Sequence, residues 1–279
     1  MKITVLIENS AQSGLCAEHG LSLYIEHRGV RWLLDAGETD AFARNARVLG
    51  VDLSAVDFAV LSHSHSDHAG GLPAFFEKNG GAPLWLRAEA AGFCCGADGA
   101  YIGPPRELFG VWSGRLLPVQ TAGPLEISDG VWLLPHSRPG LAARGSRCGL
   151  YRQCGGALLP DDFSHEQSLL FLTRAGLVVC CSCCHSGADV VIEEVMAAFP
   201  GVPVRALIGG FHLMDLEHPS ALGVPREEVS ALGKRLQELG IRAVVTGHCT
   251  GCAAYSILRE RLGDILRPLR AGAVLELSE

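Results

Sequence analysis

Residues 62–71 read Ser-His-Ser-His-Ser-Asp-His-Ala-Gly-Gly, and no other stretch of the chain limits its fold and chemistry so tightly. Three histidines and one aspartate follow directly on the apolar segment 57–62 (DFAVLS), which reads as a buried strand. In extended backbone, side chains two residues apart point the same way, so His63 and His65 can project together. Asp67 and His68 then lie around the bend, ahead of a helix predicted over 72–78. Such a loop can present two adjacent ligand pairs, one to each of two metal ions. Imidazole and carboxylate donors suit zinc, manganese or iron, and nothing in the stretch demands thiolate. Ser62, Ser64, Ser66, Ala69, Gly70 and Gly71 allow a sharp turn and a close backbone approach. The bland alternative is a solvated histidine-rich loop, and the density of donors behind a buried strand argues against it.

Elsewhere strand-like and helix-like segments alternate along all 279 residues. With 48% hydrophobic and 19% charged residues, the chain can bury a large core. Strands are predicted over 2–7, 21–26, 30–35, 83–87, 168–172, 176–182, 203–208 and 242–246. Helices are predicted over 39–49, 72–78, 189–199, 226–239 and 252–262. Residues 92–124 and 136–156 are rich in Gly, Pro and Cys or Arg with little periodicity, and read as loop insertions. The economical organisation is a single α/β domain over 1–279. Arg138, Arg144, Arg147 and Arg152, interleaved with glycines, are either a solvated loop or guanidinium forks for a phosphate.

The formal net charge of -7 argues against a general nucleic-acid binder, which needs a basic surface. The opening MKITVLIENS reads as a strand, and no run approaches the ~18 apolar residues that span a bilayer. These features predict a cytoplasmic protein with a small-molecule substrate and no nucleic-acid or membrane partner; homo-oligomerisation stays open. Eleven cysteines include the vicinal pairs Cys94-Cys95, Cys180-Cys181 and Cys183-Cys184, poor material for disulfides, so reduced thiols are expected. Cys249 and Cys252 form a C-x-x-C that permits a redox pair or half a zinc site.

The segment from His63 to His68 resembles the H-x-H-x-D-H signature of the metallo-β-lactamase superfamily. Glu18-His19-Gly20-Leu21-Ser22, Leu34-Asp35-Ala36-Gly37, Gly209-Gly210-Phe211-His212-Leu213 and Gly247-His248-Cys249-Thr250-Gly251 fall in the expected order. Together they are similar to one branch, whose members are known as metal-dependent hydrolases or as dihydropterin–ribofuranosylaminobenzene phosphate synthases. The resemblance implies a four-layer αββα sandwich holding two divalent metal ions, zinc first, with manganese or iron as alternatives. It implies that His63, His65 and His185 bind one metal, and that Asp67, His68 and His248 bind the other. Asp35 would orient the ligand loop, the bland role being an N-cap for the helix over 39–49. His19 would line the pocket, and His212 would serve as proton donor or substrate contact. His27, His136 and His218 are taken as surface or loop residues.

Two departures from the branch stand out. Cys181-Ser182-Cys183-Cys184-His185 offers no carboxylate where many members bridge the metals with aspartate, so Cys183 is either a thiolate ligand or a small buried hydrophobe. Ser164-His165-Glu166-Gln167 stands where the branch has Asp-Glu-Gln, which places Glu166 beside the ligands or the substrate pocket. The leading expectation is a hydrolase that activates water on a small phosphorylated, ester or amide substrate, with Asp67 and His212 as catalytic residues. The alternatives are carbon–nitrogen bond formation as in the pterin branch, a mononuclear iron dioxygenase acting on sulfur compounds, and a non-catalytic metal or redox sensor.

Overall fold

The structure is a computed structural model that describes residues 1–136 and 138–277; Ser137, Ser278 and Glu279 lie outside the described residues. Strands β1 (Lys2–Ile7), β2 (Ser22–His27) and β3 (Val30–Leu34) come first, then helix α1 (Ala41–Val48). Strand β4 (Phe58–Val60) runs into helices α2 (Ser66–Ala69) and α3 (Leu72–Lys78) and strand β5 (Leu84–Arg87). Strands β6 (Phe93–Gly96), β7 (Leu116–Val119), β8 (Leu125–Ser128) and β9 (Val131–Pro135) precede helix α4 (Leu141–Cys148) and the hairpin of β10 (Leu150–Cys154) and β11 (Ala157–Pro160). The rest alternates: β12 (Gln167–Thr173), β13 (Gly176–Ser182), α5 (Ala188–Ala198), β14 (Val204–Gly209), α6 (Arg226–Glu238), β15 (Ala243–Thr246), α7 (Gly251–Leu262), β16 (Leu266–Pro268) and β17 (Val274–Glu276). Among the described residues no helix is long and apolar enough to cross a membrane.

These elements form two compact units. One comprises, of the described residues, 1–120, 138–167 and 270–277. Its main sheet has the order β17-β1-β2-β3-β4-β5-β7, antiparallel up to β3 and parallel from there. The parallel steps need crossovers, and α1 and the α2–α3 pair supply them. Phe42, Leu33, Phe75 and Leu84 pack into one apolar cluster. Asn45, buried on α1, donates to the carbonyls of Leu6 and Cys16 and accepts the Cys16 amide, so it ties helix to sheet without an unmet polar group.

Because β3 and β4 are parallel neighbours with Leu34 opposite Val60, both chains leave the sheet at the same edge. Asp35 therefore emerges beside Leu61 and Ser62, and its amide donates to the Val60 carbonyl at 2.9 Å. The bend after the histidine cluster presses onto this turn. A Cβ on Gly71 would sit 2.1 Å from the Ala36 carbonyl oxygen, and one on Gly70 2.0 Å from that of Glu38. Gly71→Ala is expected to cost about 1–3 kcal/mol, the usual penalty of overpacking, and to loosen the ligand loop. Thermal unfolding together with metal content checks this; an unchanged Tm and full metal loading would refute it.

The other unit comprises Thr121–His136 and Ser168–Leu269. Its sheet has the order β16-β15-β14-β13-β12-β9-β8. From β13 to β16 the strands are parallel, joined by α5, α6 and α7. Strand β13 (GLVVCCS) is buried throughout, as a central strand covered on both faces must be. The parallel strands β14 and β15 end at the same edge as β13, so Cys183 to His185, His212 and His248 all follow carboxyl ends of parallel strands.

The segments expected to be irregular hold more order than their composition suggests. Strands β6 and β7 lie within 92–124, and α4 and β10 within the described part of 136–156. The β6 strand joins β10 and β11 in a separate three-stranded sheet of the first unit. Each of these elements has only four to eight residues, too short for periodicity to show. The placement of two histidines is corrected: His27 and His136 are buried, and only His218 is exposed. His136 is held between Glu194 at 2.6 Å and Ser168 at 2.7 Å, an anchor that its loop-like sequence setting conceals.

Candidate metal centre

In the first unit the loop after β4 gathers His63, His65, Asp67 and His68. The rings of His63 and His65 are 4.7 Å apart between centroids, and those of His63 and His68 4.2 Å. Asp35 organises them from below. One of its carboxylate oxygens accepts the Ser62 amide at 2.8 Å; the other accepts the Ser62 hydroxyl at 2.7 Å and lies 2.8 Å from His68 Nδ1. Ser62 Oγ is in turn 2.8 Å from His63 Nδ1. Two imidazoles thus have Nδ1 held by the protein, which turns Nε2 of each toward a ligand. His68 Nε2 is 3.2 Å from Asp67 Oδ2, so these two can share one cation. Asp35 is not the cap of α1, whose N-cap is Asp40.

Charge agrees with a cation at this place. Burial holds His63 well below an ordinary imidazole pKa, and the neighbouring His68 and His65 add to the effect; burial likewise lowers His65. Both are therefore neutral, the form a metal requires. His68 goes the other way: burial opposes its charge, but Asp67 and Asp35 outweigh it and raise the pKa to about 10. Between two carboxylates the ring carries the proton that a metal would replace. The raised pKa fixes the sign of two pH effects. In the metal-free protein this proton stabilises the fold fully below pH 6.5, and the contribution fades as pH climbs towards 10. Metal affinity should rise about tenfold per pH unit between pH 7 and 9, the slope for release of one proton. Chelator competition across that range measures it, and a flat profile would contradict it.

The other predicted residues of this unit fall around the loop. His19, half exposed, places Nε2 3.4 Å from Asp67 Oδ2. Glu166 is buried in the turn after β11. Beside it, Gln167 clamps the ligand loop: its amide N–H donates to the Ser62 carbonyl at 2.8 Å and its side chain to the Leu61 carbonyl at 2.9 Å. Three residues that the sequence reading did not place in the site sit here as well. Cys94, Asp161 and His165, with His65, are all buried and bring donor atoms within 4.8 Å of one another. Asp161 carried one weak signal in the sequence, a doubled aspartate directly after Pro160. Of the four arginines, Arg152 is engaged with Asp162 and Ser164.

The second unit has its own cluster at the ends of β13, β14 and β15. Cys183 Sγ is 3.2 Å from His248 Nε2 and 3.4 Å from Cys249 Sγ. The rings of His185 and His212 are 4.4 Å apart, and the His212 amide donates to Cys249 Sγ at 3.2 Å. Ser182, Cys184, His212 and His248 all adopt left-handed backbone, as does Asp35 in the first unit. Together they make five of the seven non-glycine residues with positive φ among the described residues. Such conformations cost about 1–3 kcal/mol each and persist where function needs the side chain placed so.

Residues 17–141 match the family model of the metallo-β-lactamase superfamily. The fold agrees over the whole chain with the crystal structure of Tm1679, a metal-dependent hydrolase of the β-lactamase superfamily. The TM-score is 0.84 at 30% identity, with 100% of both chains covered. The chain belongs to the metallo-β-lactamase superfamily. It is also 27% identical over 301 residues to the 7,8-dihydropterin-6-methyl-4-(β-D-ribofuranosyl)-aminobenzene-5'-phosphate synthase of Methanocaldococcus jannaschii, covering 99% of this chain and 96% of that one. The fold alone is shared with zinc-bound PqqB from Methylobacterium extorquens, at a TM-score of 0.62, 14% identity and coverage of 99% and 100%. The superfamily is metal-dependent, and the donors gathered by the loop after β4 suit that chemistry: neutral buried imidazoles, a carboxylate, and Nδ1 partners that fix their orientation.

Proposed function

We propose that this metallo-β-lactamase-fold chain is a metal-dependent hydrolase of a small phosphorylated, ester or amide substrate. The observation that carries this reading is the buried Asp35–Ser62–His63 and Asp35–His68–Asp67 connectivity, which prepares two imidazoles and a carboxylate for divalent cations. Zinc suits the donors best, and two ions fit the doubled ligand set. Bound there, the metal supplies Lewis-acid activation of water and neutralises charge developing on the substrate. The chain's own part is to hold His63 and His68 by Nδ1, to keep His63 and His65 neutral, and to aim Asp67, with His19 on the same carboxylate, at the cation. In the second unit the same reading makes His185 and His248 metal ligands and His212 a proton donor. His212→Ala should then lower kcat while leaving metal content intact.

A second reading has a specific observation behind it: the end-to-end relative named a synthase. Under it the centre would bind a pterin and the arylamine of a ribofuranosylaminobenzene phosphate and favour carbon–nitrogen bond formation. One experiment separates the two. Protein purified without added metal is analysed for zinc, manganese and iron, then assayed on bis(p-nitrophenyl) phosphate and on a dihydropterin donor with the ribosylated arylamine phosphate. Phosphodiester cleavage tied to metal content supports the hydrolase, and arylamine consumption without cleavage supports the synthase. Full activity of metal-stripped protein on either substrate would overturn both.

A further inference from the structure

Strand β14 lies between β13 and β15, yet two cysteines that follow the outer strands meet past its end. The strand finishes on Gly209, followed by Gly210, and the missing side chains make room for the meeting. A Cβ on Gly210 would stand 2.5 Å from Cys249 Sγ and 3.0 Å from the Ser182 carbonyl oxygen. With glycine there, Cys183 after β13 and Cys249 after β15 bring their sulfurs to 3.4 Å. The backbone on both sides is fixed. Ser182 and Cys184 flank Cys183 in left-handed conformation, and the Cys249 carbonyl accepts the Leu213 and Met214 amides at 2.9 and 3.0 Å. The other half of the C-x-x-C stands apart, since Cys252 is exposed on α7 whereas Cys249 is buried.

We propose that Cys183 and Cys249 form an oxidative modification site, a dithiol that a small hydroperoxide converts to a disulfide. A disulfide is about 2.05 Å long, so from 3.4 Å the sulfurs close by about 1.4 Å, the scale of side-chain rotation rather than strand movement. One thiol attacks the peroxide: its sulfur takes an oxygen, the O–O bond breaks, and water leaves a sulfenic acid behind. The second sulfur displaces that hydroxyl: the S–S bond forms, the S–O bond breaks, and the second thiol's proton leaves with the hydroxyl as water. Two electrons thus pass from the two thiols to the peroxide. Both cysteines are only 2% exposed and His212 beside them is partly exposed, so a molecule as small as hydrogen peroxide suits the site and a bulky disulfide does not. The Cys183 sulfur also lies 3.2 Å from His248 Nε2. Oxidation draws it to Cys249 and tethers the loops that carry His185 and His248, so metal affinity falls. That consequence rests on the ligand roles proposed above for these histidines; the bond itself does not.

The test treats the full chain with hydrogen peroxide in rising excess, alkylates the remaining thiols and maps the peptides by mass spectrometry. A Cys183–Cys249 cross-link is expected, with both thiols lost together and both restored by dithiothreitol. Oxidised glutathione at the same concentration should form far less of it. Zinc affinity by chelator competition should fall about tenfold or more in the oxidised protein and recover on reduction. Cys252→Ser should cross-link as the wild type does, and Cys249→Ser should not; the wild-type map decides the matter if Cys249→Ser does not fold. Pairing of Cys249 with Cys252, or of Cys183 with Cys184, would overturn the proposal. So would sulfinic acid at either residue without a cross-link, or both thiols intact after the exposed Cys154 and Cys252 have reacted. A cross-link that leaves zinc affinity unchanged would overturn its control of the metal. A cross-link in protein that takes up no metal would defeat the functional reading and leave the modification site standing.

Discussion

Asp35→Ala is expected to remove about 3–5 kcal/mol of stability and to abolish metal binding at physiological pH. The carboxylate is fully buried and serves three donors: the Ser62 amide, the Ser62 hydroxyl and His68 Nδ1. Truncation leaves the Ser62 amide without its acceptor in a dry setting, and breaking a buried charged pair from one side falls in that energy range. It also takes away one of the two carboxylates that hold the His68 proton, so the raised pKa of that ring must fall. Alanine adds a local penalty, since residue 35 sits at φ 58°, where a short polar side chain is tolerated better. Asp35→Asn separates these effects. It keeps the backbone preference and one acceptor for the Ser62 amide, so the fold should survive with a smaller loss of Tm. Its uncharged amide cannot serve Ser62 and His68 together as acceptor, so metal affinity should still drop about tenfold to a hundredfold. Thermal unfolding and chelator competition on both variants decide it. A Tm within a degree or two of wild type for Asp35→Ala would show that the carboxylate is not the keystone of the loop.

Much of this centre was legible in the sequence, for reasons that show where such reading stops. His63, His65, Asp67 and His68 lie within one loop, so local spacing and the preceding apolar strand were enough. The core strands β1 and β13 and the helix α3 were placed to the residue, because their apolar runs are bounded by Gly, Pro or polar residues. Asp35 needed one step more, the parallel pairing of β3 with β4 that brings two strand ends to one edge. Asp161 and His165 were out of reach, because they meet Ser64 and His65 across about a hundred residues of chain. The same holds for Cys183 and Cys249, 66 residues apart, whose sulfur atoms meet at 3.4 Å. Side-chain contacts of that range leave no periodicity or spacing to read. Four-residue strands such as β6 and β7 were missed for a different reason, since two apolar residues in alternation are indistinguishable from a loop.

His63→Ala and Asp67→Ala are expected to strip metal and activity while leaving the fold close to intact, the reverse of the Asp35 result. Asp67 is partly exposed, at 15% of its side chain, and its carboxylate lies beside His68 and His19. Its removal also withdraws one of the two carboxylates that raise the His68 pKa. The consequence is opposite to simple loss of a ligand: the His68 proton leaves more easily, so any residual affinity should depend less steeply on pH than in the wild type. His63 is fully buried and neutral, and its loss opens a cavity the size of an imidazole beside Ser62, a cost of about 2–3 kcal/mol at most for a side chain of this size. Circular dichroism should therefore change little and Tm should fall by several degrees, less than for Asp35→Ala, whereas zinc content falls by at least one equivalent and hydrolysis of bis(p-nitrophenyl) phosphate is lost. The pair is informative because the two residues belong to different ligand sets. If the ions bind independently, each variant loses one equivalent and the two losses add in the double variant. If the centre assembles as a unit around the shared Asp35, either single change empties it. Full metal loading in both variants would place the cation elsewhere and end the reading of this loop as the metal centre.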